Sequence, residues 1–490
     1  MTTASGTSIV WLRRDLRTDD NTALYHAAKE GANVVCAFVL DPKLLRGPRM
    51  GAPIVQFFFE SLGVLRDHLR GVGSDLALLE GDFAKELIAL AKRVDAERVY
   101  YNVDYDPAMV ERDAHIVAAL EKSGLAVHGY VDHVYAAAQD VAQESGKPYT
   151  VYTPYRKRWQ ARFDAQPKKP MPSARTSREK LVPRAKIGAT REIPTPEEYG
   201  YESNDAYPKG GMDRARALLK AFIAEDASRY RDRRNVPAVA GTSGLSPHLR
   251  AGTIGIRTCF EAAQKAIAER TPSAASNIQT WIGELIWRDF YQGLLVHFPR
   301  VAYEPFVEAA KNIEYDHDKK LWKAWADGTT GYPIVDAAMI QLNTTGWMHN
   351  RLRMIVASFL TKHLLTDYHD GERYFEQHLA DSDLGANNGG WQWSASTGTD
   401  AAPYFRVFNP TLQGKTYDPK GKFVRSMIPA LAKVPDKYVH EPWLMPPLLA
   451  ADAGCIVGTD YPAPIVDHAS ARKRAIDVYA AALKRTPVDQ

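Results

Sequence analysis

The sequence predicts an α/β N-terminal domain built on a parallel, doubly wound sheet, followed by an all-α C-terminal domain. Three observations lead there. Short β-rich runs alternate with amphipathic helical stretches over residues 8–130. β-rich runs become rare after Met212, where helical periodicity takes over. The chain has 490 residues, more than one hydrophobic core usually organises. The expected boundaries are 1–135 for the α/β domain, 136–211 for a connector and 212–490 for the helical domain.

The strand candidates are IVWL at 9–12, VVCAFVL at 34–40, LALLEG at 76–81, RVYYNVD at 98–104 and LAVHGYV at 125–131. Buried strands spaced by helices imply a parallel sheet. The first strand runs into Arg13, Arg14 and Asp15 without a GxGxxG, so a dinucleotide-binding Rossmann site has no support. Residues 156–191 carry twelve Lys or Arg against two acids, Asp164 and Glu179, with four prolines. Such a surface connector either wraps a domain as a solvated linker or touches nucleic acid directly. Helical periodicity marks 213–231, 254–269, 276–297, 333–342, 350–366 and 470–484. Eight of the ten tryptophans fall in this half, a density that packing alone does not require.

An apolar fraction of 45% with 24% charged residues is that of a soluble globular protein. The net charge of +4 is weakly basic, so any nucleic-acid site must be a local patch. The three cysteines, Cys36, Cys259 and Cys455, lie far apart and show no CxxC spacing, so neither a disulfide framework nor a thiolate zinc site is expected, which fits a reducing compartment. No signal-like h-region and no long apolar run occurs, so the expectation is a cytoplasmic protein without a membrane span.

Four stretches carry chemistry. Thr242-Ser243-Gly244-Leu245-Ser246-Pro247-His248-Leu249 places hydroxyls and backbone N–H groups at a turn before a helix, which suits a phosphate or a plain N-cap box. In the second, Trp281, Glu284, Trp287, Arg288 and Tyr291 follow i, i+3, i+4 spacing along one helical face. Tryptophan, carboxylate and arginine together make a poor core and suit a polar-lined pocket. The third, Gly346 to Met354, puts Asn350, Arg353 and Met354 on one face with Arg351 pointing elsewhere, either as a site or as an exposed basic helix start. His349 has no metal-ligand pairing of the HExxH kind. The fourth, Asp381 to Trp393, crowds two acids, three amides, three glycines and two tryptophans into thirteen residues, an unlikely helix and an unlikely strand. Asp there can accept from hydroxyls, Asn can bond a heteroaromatic nitrogen, and Trp can stack or donate an electron.

These stretches, in this order, resemble the photolyase and cryptochrome family, most closely its class I cyclobutane pyrimidine dimer photolyases. Trp11-Leu12-Arg13-Arg14-Asp15-Leu16-Arg17 and the run from Gly389 to Pro410 are similar to that family almost word for word. The resemblance implies an α/β domain, a wrapping connector and a helical domain holding one non-covalent FAD in a folded conformation. Tyr230, Thr242, Ser243, Gly244, Leu245 and Ser246 match positions around the FAD phosphates, and Trp281, Arg353, Asp381, Ser382 and Asp383 match further FAD positions. Asn387 matches the residue facing flavin N5. Glu284, Trp287, Asn350, Met354 and Trp393 match the pocket for a flipped dimer, beside Tyr291. Arg234, Arg288, Arg351 and Arg406 match positions near the DNA backbone. The implied partner is ultraviolet-damaged DNA, single or double stranded, with no obligate protein partner, no membrane and no metal.

The chain departs from the family in two places. Many members relay an electron to flavin through three tryptophans; here Trp391 holds the flavin-side position, but Tyr368 and Tyr315 hold the middle and outer ones. An oxidised tyrosine must usually lose its phenolic proton, which makes it a slower relay. Trp322 and Trp325 are alternative surface donors. Residues of the folate-binding antenna type are unmatched around Asp106 to Met109 and at Ala302 and Tyr303. Asp41, Asp104 and Arg112 fit a deazaflavin-type antenna better, with methenyltetrahydrofolate or an empty site as alternatives. The rival reading is a cryptochrome-type blue-light receptor.

Overall fold

The computed structural model describes residues 6–31, 33–173 and 178–484; Arg175 of the basic segment lies outside them. All five apolar runs form strands: β1 (Thr7–Leu12), β2 (Asn33–Leu40), β3 (Leu76–Glu80), β4 (Ala96–Asn102) and β5 (Ala126–Tyr130). They pair in parallel in the order β3-β2-β1-β4-β5, with Val10 opposite Cys36 on one side and Tyr100 on the other. Helices α1 (Thr22–Glu30), α2 (Ala52–Arg70), α3 (Phe83–Val94) and α4 (Pro107–Lys122) lie in the crossovers. Alternation sorts the strands between two cores. Val10, Leu12 and Cys36 pack with Leu24, Ala27, Phe59 and Leu62 of α1 and α2. Ile9, Trp11, Val35 and Ala37 pack with Phe83, Leu87 and Leu120 of α3 and α4. The sheet is therefore doubly wound, as its sequence predicts.

Strand order reverses at β1, and the crevice beyond the ends of β1 and β4 is where open sheets of this kind usually take a ligand. Here the chain fills it with its own side chains. Arg13 pairs with Asp113 and donates to the carbonyl of Asn102, while the Asn102 amide donates to Asp15 (2.6 Å) and Asn21 (2.9 Å).

The chain divides into two compact units, one of Met1–Arg229, Ser243–Ala302 and Ala380–Gly385, the other of Tyr230–Thr242, Tyr303–Leu379 and Ala386–Gln490. The first adds α5 (Tyr152–Ala165), α6 (Met212–Glu225), α7 (Ser246–Ala251), α8 (Ile256–Ala268) and α9 (Pro272–His297) to the sheet. The expected connector begins as α5, which buries Tyr152, Tyr155, Trp159 and Phe163. Trp159 stacks near Phe163 and Phe260, and its Nε1 donates to Asp289 (3.0 Å). A buried quartet of Arg17, Arg257, Asp20 and Asp132 ties α8 to the loop after β1.

The second unit contains α10 (Lys319–Asp327), α11 (Pro333–Thr345), α12 (Asn350–Ser358), α13 (Tyr368–His378), most of α14 (Leu384–Ala395) and α15 (His468–Lys484). The periodic segment 350–366 breaks into α12 and a π-helical turn over Phe359–His363. The core runs through Trp325, Met339, Leu342, Leu352, Phe359, Phe375 and Trp391. Among the described residues no helix is long and apolar enough to cross a membrane.

α14 corrects an expectation, because the stretch 381–393 was expected to resist helix formation. Tertiary hydrogen bonds override its poor propensity. The Asn387 amide donates to the carbonyl of Glu372 (3.0 Å), Asn388 donates to the Glu372 carboxylate (3.4 Å), and Gln392 donates to Asn388 (3.0 Å) and Glu304 O (3.2 Å) and accepts from Phe306 N (2.8 Å). The helix stops where Ser396 turns left-handed at φ 61°, and buried Lys362 donates to the carbonyl of Ala395 (3.2 Å) and to Ser396 Oγ (3.0 Å).

Candidate functional site

In the first unit, α9 supplies the mixed stripe. Trp281 is buried against Phe222 with ring centroids 4.9 Å apart, whereas Glu284, Trp287, Arg288 and Tyr291 are half-buried. The helix thus buries its apolar faces and leaves an aromatic and acidic edge within reach of a ligand. Trp287 is held flat: its ring stacks on Tyr152 at 3.5 Å and 7°, and lies 5.4 Å from Tyr291. The Tyr152 hydroxyl donates to the carbonyl of Gly283 (2.7 Å), fixing that platform. Tyr152 was missed in the sequence, although 152, 155, 159 and 163 share a helical period. Arg288 is turned inward, its guanidinium bonded to the carbonyl and ring of His133 and to Leu249 O (3.4 Å).

The turn before α7 has the expected form. Gly244 takes φ +64°, a left-handed conformation that favours glycine, and Ser243 Oγ accepts from Leu245 N (3.4 Å). Ser246 is exposed, Ser243 half-buried and Leu245 buried. Farther along the chain, Asp381, Ser382 and Asp383 are all buried. Arg250 Nε donates to Ser382 O (3.0 Å), and Asp383 receives Arg14 on one oxygen and Gln292 Nε2 (2.5 Å) on the other, with His133 Nε2 at 3.4 Å. Burial disfavours the Asp383 carboxylate, but Arg14 and His133 outweigh it and hold the group well below the usual carboxylate range. Burial, reinforced by Arg288 and Arg14, pushes His133 down to about 3.

The antenna candidates bond within the domain. Asp41 caps a short helix by accepting from Lys43 N (2.8 Å), and Asp104 accepts from Tyr105 N (2.7 Å) and pairs with Arg14 (3.3 Å). Arg112 bonds Asp113 (2.6 Å), lies over the Phe83 ring, and is lowered to about 10 by burial.

In the second unit, Asn387 and Trp391 stand one turn apart on α14 and share a face. Bonding of the Asn387 nitrogen to Glu372 O turns its Oδ1 the other way, and the buried Trp391 Nε1 has no acceptor among the described residues. Glu372, which orients Asn387, carried no signal in the sequence. Trp393 is half-buried, 6.5 Å from Phe408, over which exposed Arg406 lies at 5.6 Å. His349 Nδ1 caps α12 by accepting from Arg351 N (3.2 Å), leaving Asn350 exposed and Arg353 and Met354 half-buried. Arg353 Nε donates to Met348 O (2.9 Å). Arg351 does point elsewhere, to Asn235 (2.9 Å) and over Tyr417. Arg234 lies over the ring of buried Tyr230 at 5.9 Å, and Thr242 is half-buried. Tyr368 is buried and Tyr315 half-buried.

Residues 8–174 match the family model described as DNA photolyase, and residues 281–481 match that of the FAD binding domain of DNA photolyase. The chain is 41% identical to the deoxyribodipyrimidine photo-lyase of Halobacterium salinarum, over 96% of this chain and 98% of that one. A class III photolyase structure from Agrobacterium tumefaciens superposes with a TM-score of 0.89 at 34% identity, covering 99% of each chain. A Synechocystis cryptochrome superposes with a TM-score of 0.86 at 27% identity, covering 98% of this chain and all of the other.

Proposed function

The chain belongs to the DNA photolyase family, and from that premise we propose that it repairs cyclobutane pyrimidine dimers in ultraviolet-damaged DNA under blue light. The observation that carries this reading is the edge of α9, where Glu284 and Trp287 remain within reach of a ligand while Tyr152 holds the Trp287 ring flat. A stacking surface beside a carboxylate suits a base extruded from its duplex. A dimer stacks and pairs poorly, so extruding it costs less than extruding normal bases, and that difference gives selectivity.

When bound and reduced, FAD would supply the light-driven electron transfer that opens the cyclobutane ring, with the electron returned at the end. The chain's own residues suit it: Asn387 Oδ1 is set by Glu372, the unpartnered Trp391 N–H shares its face, and Gly244 lets Ser243 and Ser246 frame the start of α7. Tyr230, Thr242, Ser243, Gly244, Leu245 and Ser246 serve the phosphates in this reading. Arg353, Asp381 and Asp383 would serve the ribose and ring system, Trp281 and Ser382 would add further FAD contacts, and Asn387 would face flavin N5. In this reading Glu284, Trp287 and Tyr291 of the first unit serve the damaged bases, Glu284 by accepting from them and Trp287 by stacking, and Asn350, Met354 and Trp393 of the second unit are assigned to the same ligand. Arg234, Arg351 and Arg406 serve the phosphate backbone, to which cations add affinity without reading sequence. Arg288, bonded to His133, acts instead by positioning the α9 edge. An antenna of deazaflavin type at Asp41, Asp104 and Arg112 is the companion proposal.

The test pairs binding with light. Preference for dimer-containing over undamaged oligonucleotide in the dark, followed by light-dependent restoration of intact thymines, supports repair. The cryptochrome likeness supplies the alternative, and binding of reduced FAD without damage preference or repair would select it.

A further inference from the structure

The two tyrosines at the middle and outer relay positions are poorly placed to carry charge. Among the described residues Tyr368 stacks on His369 (4.0 Å) and on no other ring, and Tyr315 has no ring contact. Among the described residues the buried Tyr368 hydroxyl has no protein acceptor, and the buried Tyr315 hydroxyl faces only another phenol, Tyr479, with no base to take its proton. An oxidised phenol is a strong acid and must shed its proton, so a tyrosine without an acceptor is a poor hole carrier. Burial, together with Glu372 and Asp367, also raises Tyr368 far above the usual phenol range, which marks a site unwelcoming to phenolate.

A different set of rings touches Trp391. Trp325 meets it edge to face with centroids 6.1 Å apart, and Phe375 lies 5.0 Å away. Trp325 in turn meets Tyr374 at 5.5 Å, and Tyr374 meets Trp322 at 5.9 Å. Trp325 and Trp322 also lie one turn apart on α10, neighbours on the same helix face. Trp325 is fully buried, its Nε1 donating to Val356 O (3.0 Å), whereas Trp322 is half-buried and reaches solvent. The ring contacts run from Trp391 through Trp325 and Tyr374 to Trp322 at the surface, and the i, i+3 spacing of the two indoles on α10 offers a direct step between residues that can hold a hole without losing a proton.

We propose that Trp391 is refilled from Trp325 and Trp322 on α10, and not from Tyr368 and Tyr315. This rests on the reading of Trp391 as the flavin-side residue. Trp391 gives one electron to photoexcited oxidised flavin and becomes a radical cation. Trp325 returns an electron to Trp391, and Trp322 returns one to Trp325. The hole on Trp322 releases the indole proton to water, and an exogenous thiol restores the residue by giving up one hydrogen atom, becoming a thiyl radical.

The experiment illuminates purified holoprotein with blue light in excess thiol and follows the loss of the oxidised flavin's visible band, with transient absorption to identify the protein radical. Trp325→Phe and Trp322→Phe should each slow photoreduction at least about tenfold, while Tyr368→Phe and Tyr315→Phe change it less than about twofold. The radical should be tryptophanyl. Slowing by either tyrosine change, indifference to both tryptophan changes, absence of photoreduction in the unaltered protein, or a phenoxyl spectrum that Tyr368→Phe removes would each overturn the proposal. If Trp325→Phe does not fold, half-buried Trp322 and the radical spectrum of the unaltered protein decide the question. Dimer repair after chemical reduction separates the two readings. Its loss in the unaltered protein defeats the proposed function, whereas intact repair with tryptophan-independent photoreduction defeats the relay alone.

Discussion

Gly371→Ala probes how firmly Trp391 is held. A Cβ at this position on α13 would stand 2.1 Å from Cη2 and 2.5 Å from Cζ3 of Trp391, and 2.7 Å from Cδ2 of Leu360. Carbon atoms rest at roughly 3.5–4 Å, so the indole would have to move by more than about 1 Å. It has little room: Trp391 is 2% exposed, with Phe375 and Trp325 against it. In an open helix the change would stabilise by about 1 kcal/mol, because alanine is the better helix former. Overpacking a fixed core costs about 1–3 kcal/mol, and with contacts on two sides the upper part of that range applies. The expected net effect is a destabilisation of about 1–2 kcal/mol. Urea unfolding of the holoprotein, followed by near-ultraviolet circular dichroism, should show a lower midpoint with an unchanged slope. A midpoint equal to or above that of the unaltered protein would refute the packing described for Trp391.

Other consequences are equally open to measurement. Asp336 is fully buried and accepts from Thr330 N (2.7 Å), Thr330 Oγ1 (2.5 Å), Gly331 N (3.0 Å) and the Tyr461 hydroxyl (2.5 Å). Asp336→Asn places an NH₂ among these donors and should lower the unfolding free energy by about 2–4 kcal/mol in the same titration. His133 is depressed to about 3, so between that value and the unfolded value near 6.5 the unfolded chain binds a proton that the folded one does not. Stability should therefore fall as pH drops below about 6.5, by up to roughly 1.4 kcal/mol per unit, and unfolding midpoints at pH 7 and 5 measure it. Asp383, held low by Arg14 and His133 against the effect of burial, adds a further loss as pH falls through the unfolded carboxylate range near 3.9. Trp287→Ala should weaken binding to dimer-containing oligonucleotide by about 10–100-fold, the worth of one stacked base, while leaving affinity for undamaged duplex nearly unchanged in a fluorescence titration.

The sheet was legible because each strand is an apolar run and each crossover an amphipathic period, and strand alternation even assigns the two cores. The α9 stripe and the turn before α7 were legible for a similar local reason: spacing fixes the face, and glycine before proline fixes the turn. What escaped depends on partners distant in sequence. α14 looks unlike a helix until Glu372, Glu304 and Phe306 satisfy its amides. Arg288 belongs by spacing to the exposed stripe, yet His133 draws its guanidinium inward. The basic character of residues 156–191 masked the aromatic period with which α5 enters the core. Tyr152, the platform under Trp287, was hidden for the same reason.

The most direct test of dimer repair uses FAD-loaded protein whose flavin has been chemically reduced, mixed in the dark with an oligonucleotide carrying one thymine dimer. After blue-light exposure the products are separated by chromatography against an unilluminated control. The expected result is light-dependent recovery of intact thymines with no net change in flavin redox state. Dimer left intact under illumination, in protein that holds reduced FAD and binds the lesion, would contradict repair.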